Sequence, residues 1–589
     1  PRLAKRAYQG EDYLYLQDEV NWEPGQEIVL ITSAMRDSRD WHENEVFTIT
    51  SVQTSGLPDA KVKAIVTLNH DVQHDHIARP EYQAEVGLLT RMITIQGSAN
   101  DSEPTDTSTD TCNVVKDNGN TTSAFGYDQL VCPDEYLTGY GGHVMVRSGG
   151  VGYVEGVELF RMGQTNVLGR YPIYFHVLGD ACPGCYVKDS SIHESYYRCI
   201  SIHGTNGVTV SENVAYDVTG YCYYLEDGVE EENTLSYNLA AHIHFISSPA
   251  IGRGQQVNTV VESLTLTLPA DITASGFYIT NVHNRIIGNV AVGGWSGFAF
   301  PVLKKPVGLH RDLVDFNPSE RTTLEVDGNT AHSTAHFWEH AAGFYFGGSL
   351  YYNDDGVLEY NAGRDQTNNR NPCIDDEDTA KCEAAWNRIT NSKIFLVANV
   401  GIGSWSGRME VIDYECHDVG LSLEALEAGF WIANMVVACR TGEVLALPVQ
   451  RADLIPGNGF FWYDTGQEHI VTDSTFRNCG YRSDQYNQYD TSESRGCDSN
   501  PNNGCDDGST VFGFLTHSDQ FNPEIMQATR NISFDDVGRM FKFTTTFVET
   551  VSGRSQSWYD VDGSVSGLRE PTLVGSGLAS AGHWWRVGM

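Results

Sequence analysis

The stretch "CISIHGTNGVTVSENVAYDVTGYCYYLEDGVEEEN", Cys199 to Asn233, contains a near repeat of itself: "CISIH" at Cys199 to His203 is echoed 23 residues later by "CYYLE" at Cys222 to Glu226. A second phrase recurs around it, Asn or Ser followed by an apolar residue and three variable positions. It reads "SIHES" at Ser191, "NVAYD" at Asn213, "NLAAH" at Asn238, "NVAVG" at Asn289, "NTAHS" at Asn329 and "NISFD" at Asn531. The first gaps are 22 and 25 residues, and the later gaps of 51 and 40 read as two turns each with insertions. Short strand-like runs such as "GVTV" and "RIIGNVAV" are separated by Gly, Asn and Asp, whereas long 3.6-period stripes are missing. This pattern predicts an all-β chain built as a right-handed parallel β-helix, each coil stacking on the last. Residues one repeat apart then form columns about 4.8 Å apart. Cys199 over Cys222 is one such column, and Cys416 and Cys439, also 23 apart, are expected to form another; both are readable as disulfides between coils or as stacked buried thiols.

Composition agrees with strands. The 589 residues include 58 Gly, 29 Tyr and 24 Phe, with only 20% charged residues. The net charge of −39 is spread along the chain and excludes nucleic acid as a partner, since a phosphate backbone needs a basic surface. No apolar run is long enough to span a membrane. The opening "PRLAKRAYQGEDYLYL" lacks the apolar stretch of a signal peptide, so a mature or excised segment of a longer precursor is expected. Several of the 13 Cys bracket short polar loops, which predicts disulfides Cys112–Cys132, Cys373–Cys382 and Cys497–Cys505 and an oxidising compartment. "DACPGCYV", with Cys182 and Cys185, stands alone and sits between strand-like runs, which suits neither zinc nor a redox helix start. Sequons open at Asn100, Asn120 and Asn531. An extracellular or cell-surface glycoprotein of the secretory pathway is the expectation.

The domain plan is a small β domain over 1–97 and a polar, disulfide-closed insertion over 98–139. The β-helix follows over 140–570, with loop insertions near 364–382 and 482–510, and then a tail over 571–589. Within the helix, aligning "IYFH", "ISIH" and "YYLE" stacks His176, His203 and Glu226 on three successive coils, with Asp227 beside them. Held on rigid strands, two imidazoles and carboxylates can carry acid and base roles on a glycosidic bond, or His176, His203 and Glu226 can bind a divalent cation such as Ca2+. The same residues can equally serve as hydrogen-bonded ladders that hold register. Arg170 reads as an anion clamp or as a buried partner for Asp180. "GGWSGF" and "GIGSWSGR" place Trp295 and Trp405 as glycan platforms or as packed corners. "HDVQHDH" (His70 to His76) is rich enough in His to ligate a metal but reads as a turn of the first domain. "IDDEDTAKC" and "DSNPNNGCDDGST" lack EF-hand spacing.

The runs "LGRYPIYFH" (Leu168 to His176), "SIHESYYRCISIHG" (Ser191 to Gly204) and "YCYYLEDGVEEENTL" (Tyr221 to Leu235) resemble the β-helix core of a known family. It comprises cell-surface hyaluronidase, the cell-migration-inducing hyaluronan-binding protein and the fibrocystin-like proteins. "VNWEPGQEIVLITS" (Val20 to Ser33) and "AEVGLLTRMITIQG" (Ala84 to Gly97) resemble the latter part of the glycine-rich β domain that precedes that core. The resemblance covers roughly 10–97 and 140–350. It implies a cell-surface location, a right-handed β-helix and, in some members, glycan contact or hyaluronan cleavage. The family typically carries additional His where this chain has Tyr174, Glu194 and Tyr221, so a site using the full His cluster is expected to be depleted. The function expected first is therefore a scaffold segment of a coat, matrix or filament, self-associating or joined to other extracellular proteins. A polysaccharide depolymerase is the alternative, and a non-catalytic glycan-binding module the third reading.

Overall fold

A computed structural model of the chain describes residues 1–38, 42–97, 113–115, 129–131, 139–165, 167–245, 250, 259–260, 271–335, 340–362, 386–405, 408–426, 429–441, 457–463, 468–479, 511–516, 526–537, 541–545, 555–567, 571–575 and 585–586. Strands dominate, and the fold class expected from the sequence is observed: a small antiparallel β domain leads into a long parallel β-helix.

Each coil has three faces. The first runs through Val157–Phe160, Ser191–Ser195, Val214–Thr219, Leu239–His244, Val290–Gly293 and Thr330–His332. The second runs through Ile173–Gly179, Ile200–Thr205, Tyr223–Leu225, Ser275–Tyr278, Ser296–Val302 and Ala342–Tyr352. The third runs through Tyr153–Glu155, Tyr186–Lys188, Thr209–Ser211, Thr234–Ser236, Arg285–Ile287 and Glu325–Asp327. Parallel pairing stacks like on like. On the second face, Ile173, Ile200, Tyr223, Phe277, Phe298 and Phe344 form one column. Within it the rings of Tyr223, Phe277, Phe298 and Phe344 follow one another at 4.7, 4.7 and 4.5 Å. Such stacked and, for Phe298 with Phe344, edge-on aromatic pairs add to the apolar area they bury.

The recurring Asn has a specific task at the corner between the third and first faces. Preceding it is a residue with left-handed backbone, Glu212 (φ 59°), Tyr237 (φ 57°), Gly288 (φ 64°) or Gly328 (φ 67°), which turns the chain sharply. Asn213, Asn238, Asn289 and Asn329 then stack, each Nδ2 donating to the Oδ1 of the next at 2.9, 2.9 and 3.1 Å. The same Oδ1 atoms also accept the backbone N–H of the preceding Asn. A bend that breaks the strand ladder is thereby left with no orphan amide.

Register corrects several expectations. Ser191 pairs with Val214, so Ser190 and not Ser191 lies over Asn213, and the repeat there is 23 residues. The 51- and 40-residue gaps are single coils, because Leu239 pairs with Val290 and Val290 with Thr330. In the second of them the extra length leaves the helix between strands at 303–324. Cys199 and Cys222 are joined as a disulfide, as are Cys182 and Cys185. The Cys416–Cys439 column does not form: Cys416 lies over Val437 as a buried free thiol, and Cys439 is joined to Cys479. Ile93–Gln96, placed by the sequence in the first domain, pairs in parallel with Val157–Phe160 and belongs to the helix. Pro571–Gly575, expected as tail, pairs antiparallel with Ser555–Asp560. The predicted disulfides Cys112–Cys132, Cys373–Cys382 and Cys497–Cys505 and the sequons Asn100 and Asn120 lie outside the described residues. Asn531 is exposed and donates to Asp473.

The first domain is a five-stranded sheet in the order Tyr13–Leu16, Ala64–Leu68, Glu45–Gln53, Glu27–Leu30, Val86–Leu88. Its "IVLI" run (Ile28 to Ile31) is continuously apolar because both sides are covered. Ile28 and Leu30 pack into the domain, while Val29 and Ile31 pack with Leu89 on Tyr216, Leu239, Ala241 and Val292 of the first face. His76 holds this strand in place, bonding the Ile31 carbonyl and the Glu45 carboxylate, so the His70–His76 motif is part of the domain's architecture.

Asn238→Ala removes the donations to Asn289 and the Val210 carbonyl and orphans the Asn213 amide. Urea unfolding of this variant is expected to show a loss of about 2–4 kcal/mol, within the range for buried polar groups left unpaired.

Candidate functional site

The second face assembles the column expected from the sequence. His176 pairs in register with His203, and Glu226 follows Leu225, which pairs with Ile202. The imidazole rings of His176 and His203 lie 5.2 Å apart. His203 Nε2 bonds Asp227 Oδ2 at 2.7 Å, and its Nδ1 lies 3.7 Å from Glu226 Oε2, so the two carboxylates flank the ring on opposite edges.

Two members were missed by sequence reasoning. Tyr174, read there as the loss of a His, bridges both imidazoles: its hydroxyl is 2.5 Å from His203 Nδ1 and 2.8 Å from His176 Nδ1. The second is His310, in a short 3-10 turn (Gly308–His310) of the 303–324 insertion. Its ring Nδ1 bonds Asp227 Oδ2 at 2.8 Å, its backbone N–H donates to the same oxygen at 3.2 Å, and Val307 N–H donates to the Asp227 carbonyl. A Cβ at Gly204 would lie 2.4 Å from the His310 ring, so glycine is what lets the insertion settle so closely. His310 lies 83 residues from Asp227 and carries no local motif. Behind them, buried Glu230 collects the N–H groups of Gly204, Asp227 and Gly228 and fixes the loop that presents Asp227.

Electrostatics separate these groups. Burial alone depresses the His203 imidazole, but the surrounding Glu226, Asp227 and Glu230 outweigh it and push it up to about 9. Burial works against ionised Asp227 too, yet hydrogen bonds from His203 and His310 hold its carboxyl below the ordinary value. Glu226 moves the other way: burial first, then the Asp227 charge, raise it despite His203. His176 is lowered by burial and then by His203. The result is a chain of hydrogen bonds: protonated His203 links ionised Asp227 to the Tyr174 oxygen, which also accepts Nδ1–H of a neutral His176 and so leaves the lone pair of that ring on Nε2. His176 is the half-buried end, while Tyr174, His203 and Asp227 are buried. His203, Asp227 and His310 each offer a ligand atom within 4.8 Å of the others, so a divalent cation would fall to this trio and not to the expected His176, His203 and Glu226.

The remaining expected residues lie elsewhere. Arg170 is exposed and contacts His143 at 2.6 Å; Asp180 instead accepts from Asn206, so the buried Arg170–Asp180 pair does not form. Trp295 and Trp405 are buried at 0% and 1% exposure and serve as packed corners, not glycan platforms. Of the other two positions where this chain departs from the His of the family, Glu194 pairs with Arg161 at 2.7 Å on a corner. Tyr221 helps cage the fully buried Arg198 together with Tyr171, Tyr197 and Tyr224. Only Tyr174 of those three departures falls in the site.

Residues 139–338 match the family model described as CEMIP beta-helix. A G8 domain-containing protein of Dictyostelium discoideum is 36% identical over 99% of this chain and 45% of its own length. Fibrocystin-L of Homo sapiens is 33% identical over 57% of this chain and 8% of its own length. The chain thus spans under half the length of these curated relatives. Among solved structures, the catalytic unit of a GH87 alpha-1,3-glucanase from Streptomyces thermodiastaticus strain HF3-3 is similar at 12% identity and a TM-score of 0.27, covering 90% of this chain and 87% of that one.

Two outcomes follow from the geometry. The stabilisation carried by His203 is complete below its unfolded value of 6.5 and is lost as pH rises through about 9, so the thermal midpoint is expected to fall across that window, and to fall less in His203→Gln. His310→Ala is expected to release the insertion, read as faster tryptic cleavage after Lys304 and Arg311 with the rest of the digest unchanged.

Proposed function

The chain belongs to the CEMIP and fibrocystin-like family through its β-helix, and on that premise we propose that its second face is a polysaccharide-cleaving site of an extracellular protein. The observation that carries this reading is the relay from Asp227 through His203 and Tyr174 to His176, with Glu226 displaced in the opposite sense beside it. Neighbouring groups whose environments drive their proton affinities apart are what acid and base roles at one pH require. Cleavage of a glycosidic bond by water needs one group to protonate the leaving oxygen and another to take a proton from the water. Neutral, half-buried His176 suits the base, and Glu226, held toward its protonated form, suits the acid. Asp227 and His203 orient and charge the relay behind His176.

A scaffold is the second reading, favoured by one observation. His203 and Asp227 are buried and bonded within the chain, as ladder residues holding register would be.

Incubating the chain with hyaluronan and a panel of algal, fungal and animal polysaccharides decides between them. New reducing ends are expected from at least one polymer, falling about 100-fold or more in His176→Ala and Tyr174→Phe with unchanged thermal midpoints, in keeping with loss of acid–base catalysis. No cleavage of any polymer, together with ordered self-assembly by sedimentation and electron microscopy, would establish the scaffold instead.

A further inference from the structure

A second cluster of ligating side chains lies where the β domain docks on the first face. Asp217 (φ 56°) and His242 (φ 59°) occupy the same left-handed corner on successive coils, since Val218 pairs with Ile243. His244 lies two residues further along the Leu239–His244 strand. Asp217, His242 and His244 each offer one ligand atom, all within 4.8 Å of one another. His244 Nε2 lies 2.7 Å from Asp217 Oδ1, and the His242 and His244 rings are 4.2 Å apart at 84°.

The β domain completes the arrangement. Asp37 Oδ1 bonds His242 Nδ1 at 2.5 Å, while the other Asp37 oxygen accepts from Asn44. With His242 Nδ1 as the proton donor, the lone pair of that ring is on Nε2. A carboxylate behind a ligand imidazole fixes its tautomer and raises its basicity in this way. His42 packs its ring 4.2 Å from that of His242, and its Nδ1 is buried without a hydrogen-bond partner.

We propose that Asp217, His242 and His244 bind a divalent transition-metal ion of the zinc type, with His42 as fourth donor and Asp37 as the carboxylate behind His242. Imidazole nitrogens with one carboxylate suit zinc-like ions, whereas Ca2+ and Mg2+ require shells of oxygen. Zinc bonds of about 2.0–2.1 Å place tetrahedral ligands about 3.3 Å apart, so the 2.7 Å contact between His244 and Asp217 must open by about 0.6 Å. The Asp217 side chain, 39% exposed, has the room for that movement. On binding, the ion takes the place of the proton shared between His244 and Asp217, and that proton passes to solvent. The ion bridges His42 of the β domain to two coils of the helix and so clamps the two parts of the chain together.

The test is titration of the metal-stripped 589-residue chain with ZnCl2, followed by calorimetry, and with CoCl2, followed by the visible absorption of four-coordinate cobalt. One equivalent is expected, with a rise in thermal midpoint that chelator reverses. His244→Ala is expected to abolish the cobalt bands, and Asp37→Asn to weaken binding about 10–100-fold. Should His244→Ala fail to fold, Asp217→Asn, at the solvent-facing side, gives the same readout. His310→Ala, in the second-face cluster, is expected to leave the equivalent bound here intact. Absence of binding, or binding that survives His244→Ala and Asp217→Asn but is lost in His310→Ala, overturns the proposal.

Discussion

The corner between the third and first faces is the constraint on which the rest of the molecule depends. A strand that bends through a left-handed residue loses its ladder hydrogen bonds at the bend, and a buried amide left without a partner is costly. Asn213, Asn238, Asn289 and Asn329 answer this with side-chain amides that bond one another and the backbone along the helix axis. Once these amides are stacked, the strands that follow them start in register. The columns of Ile, Tyr and Phe on the second face, of Val, Leu and Ile on the third, and of Leu159, Ile192, Ala215 and Ala240 on the first are consequences.

Fixing the corners leaves the connections between faces free to vary. A coil can shed dozens of residues between two strands and resume in register, because the ladder and not chain length sets the stacking. The 303–324 insertion uses that freedom. It leaves after Ser296–Val302, folds back across three coils and places His310 on Asp227. The side chains around His203 therefore come from ordinary strand positions, one loop fixed by Glu230 and one excursion, a combination whose precision derives from the rigid strands beneath it.

The β domain is joined to the helix by apolar packing and by buried polar pairs spread over successive coils. Val29, Ile31 and Leu89 supply the apolar part. Asp37 with His242, Glu85 with His332 and Tyr82 with Asp418 supply the polar part, each linking residues more than 200 positions apart. A carboxylate facing an imidazole loses less on burial than either group alone, since each satisfies the other. Removing one partner leaves the other stranded, so these pairs make the docking specific as well as tight.

The sequence by itself determined the coil, because an Asn at each corner and an apolar residue beside it are local signals repeated along the chain. It determined the column of His176, His203 and Glu226 for the same reason: neighbours in a parallel stack are related by a translation that spacing alone reveals. Spacing failed where chain length and register part company. Cys416 and Cys439 share the 23-residue interval of Cys199 and Cys222, yet Cys416 meets Val437, because the shorter local coil has only 21 residues between columns. Only the tertiary structure decided that Tyr174 completes the relay, that Trp295 and Trp405 are interior, and that His310 and the His42–His242 pair are brought in from distant segments. Those contacts depend on how insertions fold back and how one domain sits on another, and such long-range packing leaves no periodic trace in the chain.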